Sequence, residues 1–404
     1  MDIEQIKKSG LPVIIFGAFS VGEALFFAAQ ESGVKVDCFC DNDFNRTKKP
    51  VCNTKVIHTS QLKKNYPDAI FLISAADIND VLNQLNGLGY KKWYPSTLFL
   101  RNFDIYSHKY SLPADFVVYT VDTTLFCHDS FLTPNKLYLR SVDIIITERC
   151  SLRCRDCSNL MQYYQNPKDS DIKELFRNIN QFLKIIDEIH EFRVLGGEPF
   201  MNRQAHIIIK KLADEPKTKR VLIYTNGTIP LRDEQIPFLK SKKILFIITD
   251  YGSLSRNLSR LTETLKKNNI DYYINKAGSL CPWTNCSIIK KHHRSIFAQK
   301  EIFRNCCVKN TVTLSNNLLF RCPFAANAHR LQAVPDYKDD YVDIFGNPKE
   351  VKKKIREYLM NKKYLLTCDF CNGRSFGDPI ITPAIQVNKI LDYRKYHYDN
   401  RNNG

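Results

Sequence analysis

The sequence predicts an α/β chain in three parts: a small parallel-sheet domain, an open or partial (β/α) barrel, and a cysteine-rich extension. Three observations predict it. Short apolar runs rich in β-branched residues alternate with helical spacing over residues 1–105 and again over 141–290. Eleven of the 14 cysteines lie beyond residue 105. Charge divides at the same place: residues 1–105 hold 12 Lys/Arg and 11 Asp/Glu, and the remainder holds 47 against 31, so nearly all of the net +17 falls on the later parts.

The overall composition narrows the class. At 44% hydrophobic and 25% charged the 404-residue chain is globular rather than disordered, and 15 Gly and 17 Pro exclude a collagen-like or low-complexity chain. The longest apolar runs, such as Leu11 to Phe19, fall short of the ~20 residues that span a bilayer. Met1 to Gly10 is charged and lacks an apolar run before a cleavage site, so no signal peptide is expected. The expectation is a cytoplasmic protein with reduced thiols, in which 14 cysteines point to metal or redox chemistry.

In the first part, Pro12 to Gly17, Val36 to Cys40 and Asp68 to Ser74 read as strands, and Val21 to Gln30 and Asp77 to Leu88 as helices. Gly17-Ala18-Phe19-Ser20-Val21-Gly22 follows the first strand, and Asp41 ends the second. This resembles the Rossmann dinucleotide fold, but Phe19 replaces the glycine that would admit a pyrophosphate. Nucleotide binding and a purely packing role both stay open. Residues 106–140, with Pro113, Pro134 and scattered aromatics, read as an irregular linker or hairpin.

Alternation resumes with strands at Val142 to Thr147, Phe192 to Leu195, Arg220 to Thr225, Ile244 to Asp250 and Asp271 to Ile274. Helices are expected at Asp171 to His190, Ala205 to Ala213 and Leu258 to Asn268. From 291 to 404 the pattern changes to cysteine-rich loops, a hairpin at Thr311 to Arg321 and a basic helix at Lys349 to Leu365. Lys290 to Arg294 and Lys352 to Lys354 suit a phosphate or membrane surface, although a solvated face is the simpler reading. No nucleic-acid module accompanies the charge, so a small anionic substrate is preferred over nucleic acid.

Cys150, Cys154 and Cys157 form C-x3-C-x2-C directly after the first strand of the barrel. Three thiolates can surround one metal centre without filling a four-ligand set, and a [4Fe–4S] cluster takes four. Such a triplet leaves one iron open, as reactive centres require. Zinc and buried apolar cysteines are the alternatives. The missing fourth ligand weighs against the first, and Arg153, Arg155 and Asp156 weigh against the second. The next strand ends in Gly196-Gly197-Glu198-Pro199, where glycines allow close backbone approach and Glu198 offers an acceptor for an ammonium group. A further strand ends in Thr225-Asn226-Gly227, polar groups suited to ribose hydroxyls or a carboxylate.

On these motifs, residues 140–280 resemble the radical S-adenosylmethionine (SAM) enzymes. The resemblance implies a partial (β/α)6 barrel, a [4Fe–4S] cluster on Cys150, Cys154 and Cys157, and SAM contacts from Gly196, Gly197, Glu198, Pro199, Thr225 and Asn226. It also implies reductive cleavage of SAM to a 5′-deoxyadenosyl radical, fed by an electron donor such as flavodoxin or ferredoxin. Asp156 stands where that family commonly has an aromatic residue, which implies a different contact there.

Seven more cysteines lie between 281 and 371. Cys368 and Cys371 form a CxxC, Cys322 closes the hairpin, and Cys306 and Cys307 precede it, so Cys322, Cys368, Cys371 and one of Cys306/Cys307 can converge. The arrangement looks like the SPASM or shorter twitch extension of radical enzymes, with Asn317 in the place of a hairpin glycine, and implies one auxiliary [4Fe–4S] cluster. A structural zinc site is the alternative. Cys281 or Cys286 is a candidate hydrogen-atom donor, a substrate contact or a buried thiol. The resemblance implies oxidation or epimerisation of a small anionic substrate, by preference a phosphate-bearing, nucleotide- or lipid-linked sugar. A peptide or protein maturase is the first rival, although no winged-helix peptide-binding module is visible. A non-catalytic iron–sulfur or zinc protein is the rival of another class.

Overall fold

The fold is that of a computed structural model, which describes residues 3–278, 283–375 and 377–398. Contacts divide the chain into two compact units, Met1–Lys136 and Leu137–Gly404. Among the described residues no helix is long and apolar enough to cross a membrane.

The first unit is built on five parallel strands: β1 (Val13–Phe16), β2 (Cys38–Asp41), β3 (Val56–His58), β4 (Ile70–Ile73) and β5 (Trp93–Pro95). Their order in the sheet is β3-β2-β1-β4-β5, so the winding reverses between β1 and β4. Both faces of the sheet are covered, which is why β1 and β4 read as unbroken apolar runs. Gly17 and Gly22 are needed here for packing. A Cβ on Gly17 would lie 2.4 Å from Ser74 Oγ, and one on Gly22 would lie 2.2 Å from the Gly17 carbonyl oxygen.

The stretch expected to be an irregular linker contains a 19-residue helix, Ala114–Leu132, that belongs to the first unit. Pro113, read as a breaker, is the residue that opens it; proline is tolerated there because the first N–H groups of a helix have no partner within it. Phe116 packs edge-on against Phe19, and the Thr120 and Ser20 hydroxyls are 3.0 Å apart. At its far end the fully buried His128 accepts from the Ser96 N–H (3.0 Å) and lies 2.9 Å from the Ala75 carbonyl. Ala75 and Ser96 follow β4 and β5, so the helix lies across the carboxyl ends of the strands beside the winding reversal, where open sheets of this kind receive ligands. Asp41 is also engaged internally, accepting from the Ala18 and Asp43 N–H groups at 2.9 Å each. Of the two roles open for this unit, packing is the one these contacts favour.

The second unit holds one eight-stranded sheet: β6 (Tyr138–Thr147), β7 (Glu188–Gly196), β8 (Thr218–Thr225), β9 (Ile244–Asp250), β10 (Asp271–Lys276), β11 (Thr311–Ser315), β12 (Leu318–Phe320) and β13 (Tyr341–Asp343). The order is β10-β9-β8-β7-β6-β11-β12-β13. β6 to β10 run parallel in sequence order, and β11 adds a sixth parallel strand on the other side of β6. The cysteine-rich part therefore extends the same sheet, through the antiparallel β12 and β13. Helices Ile172–Ile185, Ala205–Ala213 and Leu258–Lys267 follow β6, β7 and β9. The first is capped by Asp171, which accepts from the Glu174 N–H at 2.8 Å, and buries Leu175, Ile179, Phe182 and Leu183 on one face. This helix was expected to continue to His190. It stops at Ile185, because Glu188 to Glu191 pair with β6 as the start of β7.

Candidate functional site

Parallel topology brings the ends of β6, β7, β8 and β9 to one edge of the sheet, and the loop after β6 carries the cysteine triplet. Thr147 anchors this loop: its Oγ1 accepts from the Arg149 N–H (3.0 Å) and donates to Asp169 (2.7 Å). Arg149 reaches Asp169 and the Met201 carbonyl at 3.2 and 3.1 Å. The two glycines after β7 complete the loop's seat. The Gly197 and Glu198 N–H groups donate to the Thr147 and Arg149 carbonyls at 3.0 and 2.9 Å. A Cβ on Gly196 would fall 2.1 Å from the Thr147 carbonyl oxygen. One on Gly197 would fall 2.1 Å from that of Arg149 and 2.9 Å from Cys150 Cβ. The expected close approach exists, but what approaches these glycines is the cysteine loop itself.

Glu198 is fully buried and links β7 to β8. Its carboxylate accepts from Thr225 Oγ1 (2.8 and 2.9 Å), the Asn226 N–H (2.9 Å) and the Phe200 N–H (3.3 Å). Burial pushes its acid up to about 7 against these donors, led by the Asn226 N–H. The Asn226 amide points back at the triplet, 3.7 Å from Cys150 Sγ and 3.2 Å from Ser151 Oγ. Cysteine loop, GGEP segment and Thr225-Asn226 thus form one hydrogen-bonded unit. Burial is the first influence on all three thiols. It raises those of Cys150 and Cys157 and takes Cys154 to about 11, with the Cys157 thiol adding to the effect on Cys150 and Cys154.

Two neighbours carried no local signal. Tyr251, just past β9, has its hydroxyl held protonated first by burial and then by the nearby Cys154, Cys157 and Cys150. Gln386 donates to Cys154 Sγ at 3.3 Å from 232 residues away. Asp156, at the position where an aromatic was anticipated, is buried and accepts from Arg155 Nε at 2.9 Å.

The second cysteine set surrounds a single cavity lined by Cys306, Cys322, Cys368 and Cys371 together with Phe303 and Phe324. Cys306 is the member of its pair that faces the cavity, while the Cys307 N–H donates to the Arg374 carbonyl at 2.8 Å. Burial raises all four thiols, Cys306 to about 11, and nearby thiols raise each further. The hairpin turn is Asn316–Asn317, and the left-handed residue is Asn316 (φ +55°) rather than Asn317.

The run at 290–294 is tied to this site through its backbone and Arg294, while the side chains of Lys290, Lys291 and His293 are exposed, as a solvated face requires. The Lys290 and His292 N–H groups donate to the Phe370 and Asp369 carbonyls (3.1 and 2.9 Å), and the Arg294 guanidinium bridges the carbonyls of Cys368 (3.0 Å) and Cys371 (2.8 Å). Asp340, also buried, accepts from the Leu366 and Thr367 N–H groups at 2.8 and 2.7 Å and fixes the approach to Cys368. Cys286 is buried, with its carbonyl 3.6 Å from Cys371 Sγ, and its thiol acts on Cys157, Cys306 and Cys371, so it stands between the two sets. Cys281 lies outside the described residues. Among those residues no three Cys, His, Asp or Glu side chains converge as the donors of one metal ion do. Cys150, Cys157, Cys322 and Cys371 all pack against one apolar cluster that includes Leu160, Met161 and Phe370.

Residues 144–275 match the family model of the Radical SAM superfamily. This stretch is a radical SAM domain. Domains of this enzyme type use a [4Fe–4S] cluster and SAM. The chain is 35% identical over 92 residues to the GTP 3′,8-cyclase of Campylobacter jejuni subsp. doylei, spanning 22% of this chain and 27% of that protein. The cyclase of Clostridium acetobutylicum is 31% identical over 93 residues, 23% of this chain and 28% of that one. The chain thus spans little more than a quarter of these relatives' length. Among solved structures it resembles BtrN in complex with AdoMet and 2-DOIA, with a TM-score of 0.37, 16% identity and coverage of 56% of this chain and 85% of that one. It also resembles Streptococcus suis SuiB bound to S-adenosylmethionine, with a TM-score of 0.33, 12% identity and coverage of 64% and 71%.

Proposed function

We propose that the second unit is a radical SAM enzyme in which Cys150, Cys154 and Cys157 hold the [4Fe–4S] cluster and the ends of β7 and β8 hold SAM. The donors fit the cofactor in kind, and the loop would draw the three thiols together on binding it. Three thiols crowd into a buried loop that keeps each protonated, and a cationic centre reverses that balance for all three at once. When bound, the cluster and SAM supply one-electron cleavage to methionine and a 5′-deoxyadenosyl radical, which takes a hydrogen atom from the substrate. The chain's own residues position and seclude. Gly196 and Gly197 seat the cysteine loop, Glu198 fixes Thr225 and Asn226 toward it, and Tyr251 shields one side from water. The observation that carries the reading is the single hydrogen-bonded unit joining the triplet, GGEP and Thr225-Asn226.

Cys306, Cys322, Cys368 and Cys371 are assigned to an auxiliary [4Fe–4S] cluster of the SPASM/twitch kind, supported by their shared cavity. The substrate is inferred to be a small anion, by preference a nucleotide- or lipid-linked sugar, with oxidation as the reaction. Epimerisation needs only a hydrogen-atom donor, for which Cys286, buried next to Cys371, is the candidate among the described residues. Anion binding is supported by the basic second unit and by a cavity of about 350 Å³ at the start of the triplet loop, where Lys168 and Lys395 stand against Asp392 beside the Arg330–Glu148 ion pair (2.7 Å). Flavodoxin or ferredoxin serves as the electron donor, and the cytoplasm as the compartment.

Anaerobic reconstitution should load about eight iron and eight sulfide per chain. Cys150→Ala should lose about half of the iron and all SAM cleavage. Unchanged 5′-deoxyadenosine production in that variant would overturn the assignment. Transfer of label from deuterated candidate sugars into 5′-deoxyadenosine identifies the substrate.

A further inference from the structure

The loop that carries the triplet is paired with a distant segment. The Arg155 N–H donates to the Ile385 carbonyl (2.7 Å) and the Val387 N–H to the Arg153 carbonyl (2.9 Å), an antiparallel bridge centred on Cys154 and Gln386. The Gln386 side chain adds three contacts. Its Oε1 accepts from the Arg153 N–H (2.7 Å), and its Nε2 donates to the Ala384 carbonyl (2.8 Å) and to Cys154 Sγ (3.3 Å). This pattern fixes the amide's orientation, because the oxygen alone can meet an N–H and the nitrogen alone can meet a carbonyl. Ala384 holds φ +55°, a left-handed conformation that L-residues disfavour, and the turn it makes directs Gln386 at the loop. Further along, the Leu391 N–H donates to the Gln162 carbonyl at 3.0 Å, so the segment follows the loop past the third cysteine.

The geometry points to residues 384–391 as a strap that closes the cluster loop, with Gln386 as a positioning residue that tunes the cluster's reduction potential through its N–H···S bond to Cys154. This rests on the cluster assignment made above. Reduction adds negative charge to the cluster and its thiolates. A donor aimed at a ligating sulfur therefore stabilises the reduced state and raises the potential. The three cysteines differ in this respect: Cys150 has the Asn226 amide at 3.7 Å, Cys154 has the shorter contact from the strap, and Cys157 faces backbone N–H groups of Asn159, Leu160 and Met161.

Gln386 is exposed, so its substitution leaves the apolar core intact. Gln386→Leu removes the contacts to both Arg153 and Cys154. Gln386→Glu keeps an acceptor for the Arg153 N–H but replaces the donor with negative charge. Two readouts on the full chain separate the roles. In the iron-free protein, hydrogen exchange of the Leu152–Asp156 peptide should speed up in Gln386→Leu and change less in Gln386→Glu. In the reconstituted protein, a redox titration followed by electron paramagnetic resonance should give a more negative midpoint for both, most so for Gln386→Glu. Parent-like exchange in Gln386→Leu would overturn the strap, and parent-like midpoints in both variants would overturn the tuning. A parent chain that binds no cluster on the triplet would instead reject the cluster assignment, leaving the exchange result to decide the strap.

Discussion

Both units of this chain are built on parallel strands with glycines packed tightly at strand ends, and the two sets of strand ends have opposite fates. In the first, Gly17 and Gly22 let the loop after β1 pack against Ser74 and its own carbonyl, and the helix Ala114–Leu132 lies across the crevice beside them. In the second, Gly196 and Gly197 let the end of β7 pack on the loop after β6, and the edge is lined with three thiols. The glycine signature marks a close approach of backbone in both cases and says nothing about what approaches. Function follows from what the strand ends hold, which parallel topology leaves free to vary.

The largest effect that tests this contrast is expected at Gly197. A Cβ there meets a backbone carbonyl at 2.1 Å, so Gly197→Ala must displace the cysteine loop. We expect about 1–3 kcal/mol of destabilisation in denaturant titration and loss of the triplet's share of the iron on reconstitution. Gly22→Ala creates an equally severe contact, 2.2 Å from the Gly17 carbonyl oxygen, in the other unit. It should destabilise the protein by a similar amount and leave iron binding per folded molecule unchanged. Equal iron loss in the two variants would mean that the glycines serve general folding alone.

How much of this contrast could be read in advance depends on sequence distance. The triplet, GGEP and Thr225-Asn226 are short motifs at strand ends, and strand ends follow from apolar periodicity, so both fold and site were legible there. The helix Ala114–Leu132 was not. Pro113 and Pro134 flank it, and Val117, Val118, Thr120, Val121, Thr123 and Thr124 lower its helix propensity, which packing against the first unit's own core overrides. Arg294 looked solvated because its partners, the carbonyls of Cys368 and Cys371, are more than 70 residues away. Glu198 was singled out as an acceptor for an ammonium group; the donors it meets in the structure are the chain's own, Thr225 and Asn226 at the end of β8 and the Phe200 N–H.

Arg294 supplies the next prediction. Its guanidinium donates from one nitrogen, Nη1, to the carbonyls of both CxxC cysteines. Arg294→Ala should cost about 1.5–3 kcal/mol and remove the second set's share of the iron while sparing the triplet's. Arg294→Lys, with one point-like donor group, should recover part of both. Iron analysis with separate spectroscopic signals for the two clusters measures this. Loss confined to the triplet would contradict the division into two sites.

The smallest effect belongs to the first unit and reports on its filled crevice. His128 is fully buried, and burial is the first cause lowering its pKa below the ordinary 6.5, against the bond to the Ala75 carbonyl. With Ala75 as acceptor at Nε2 and the Ser96 N–H as donor to Nδ1, the ring is neutral and each nitrogen is matched. As pH falls through the unfolded value the unfolded chain takes up the proton first. The stabilisation is therefore complete above about pH 6.5 and is lost toward the lower folded value, with a slope of at most about 1.4 kcal/mol per pH unit. His128→Asn removes this titration and cannot span both partners. It should lower stability at pH 7.5 by about 1–2 kcal/mol, flatten the acid dependence of the first unit, and leave SAM cleavage unaltered. A parallel acid dependence in parent and variant would show that the helix does not depend on the neutral imidazole, and the crevice would then have to be held closed by Phe116 and Thr120.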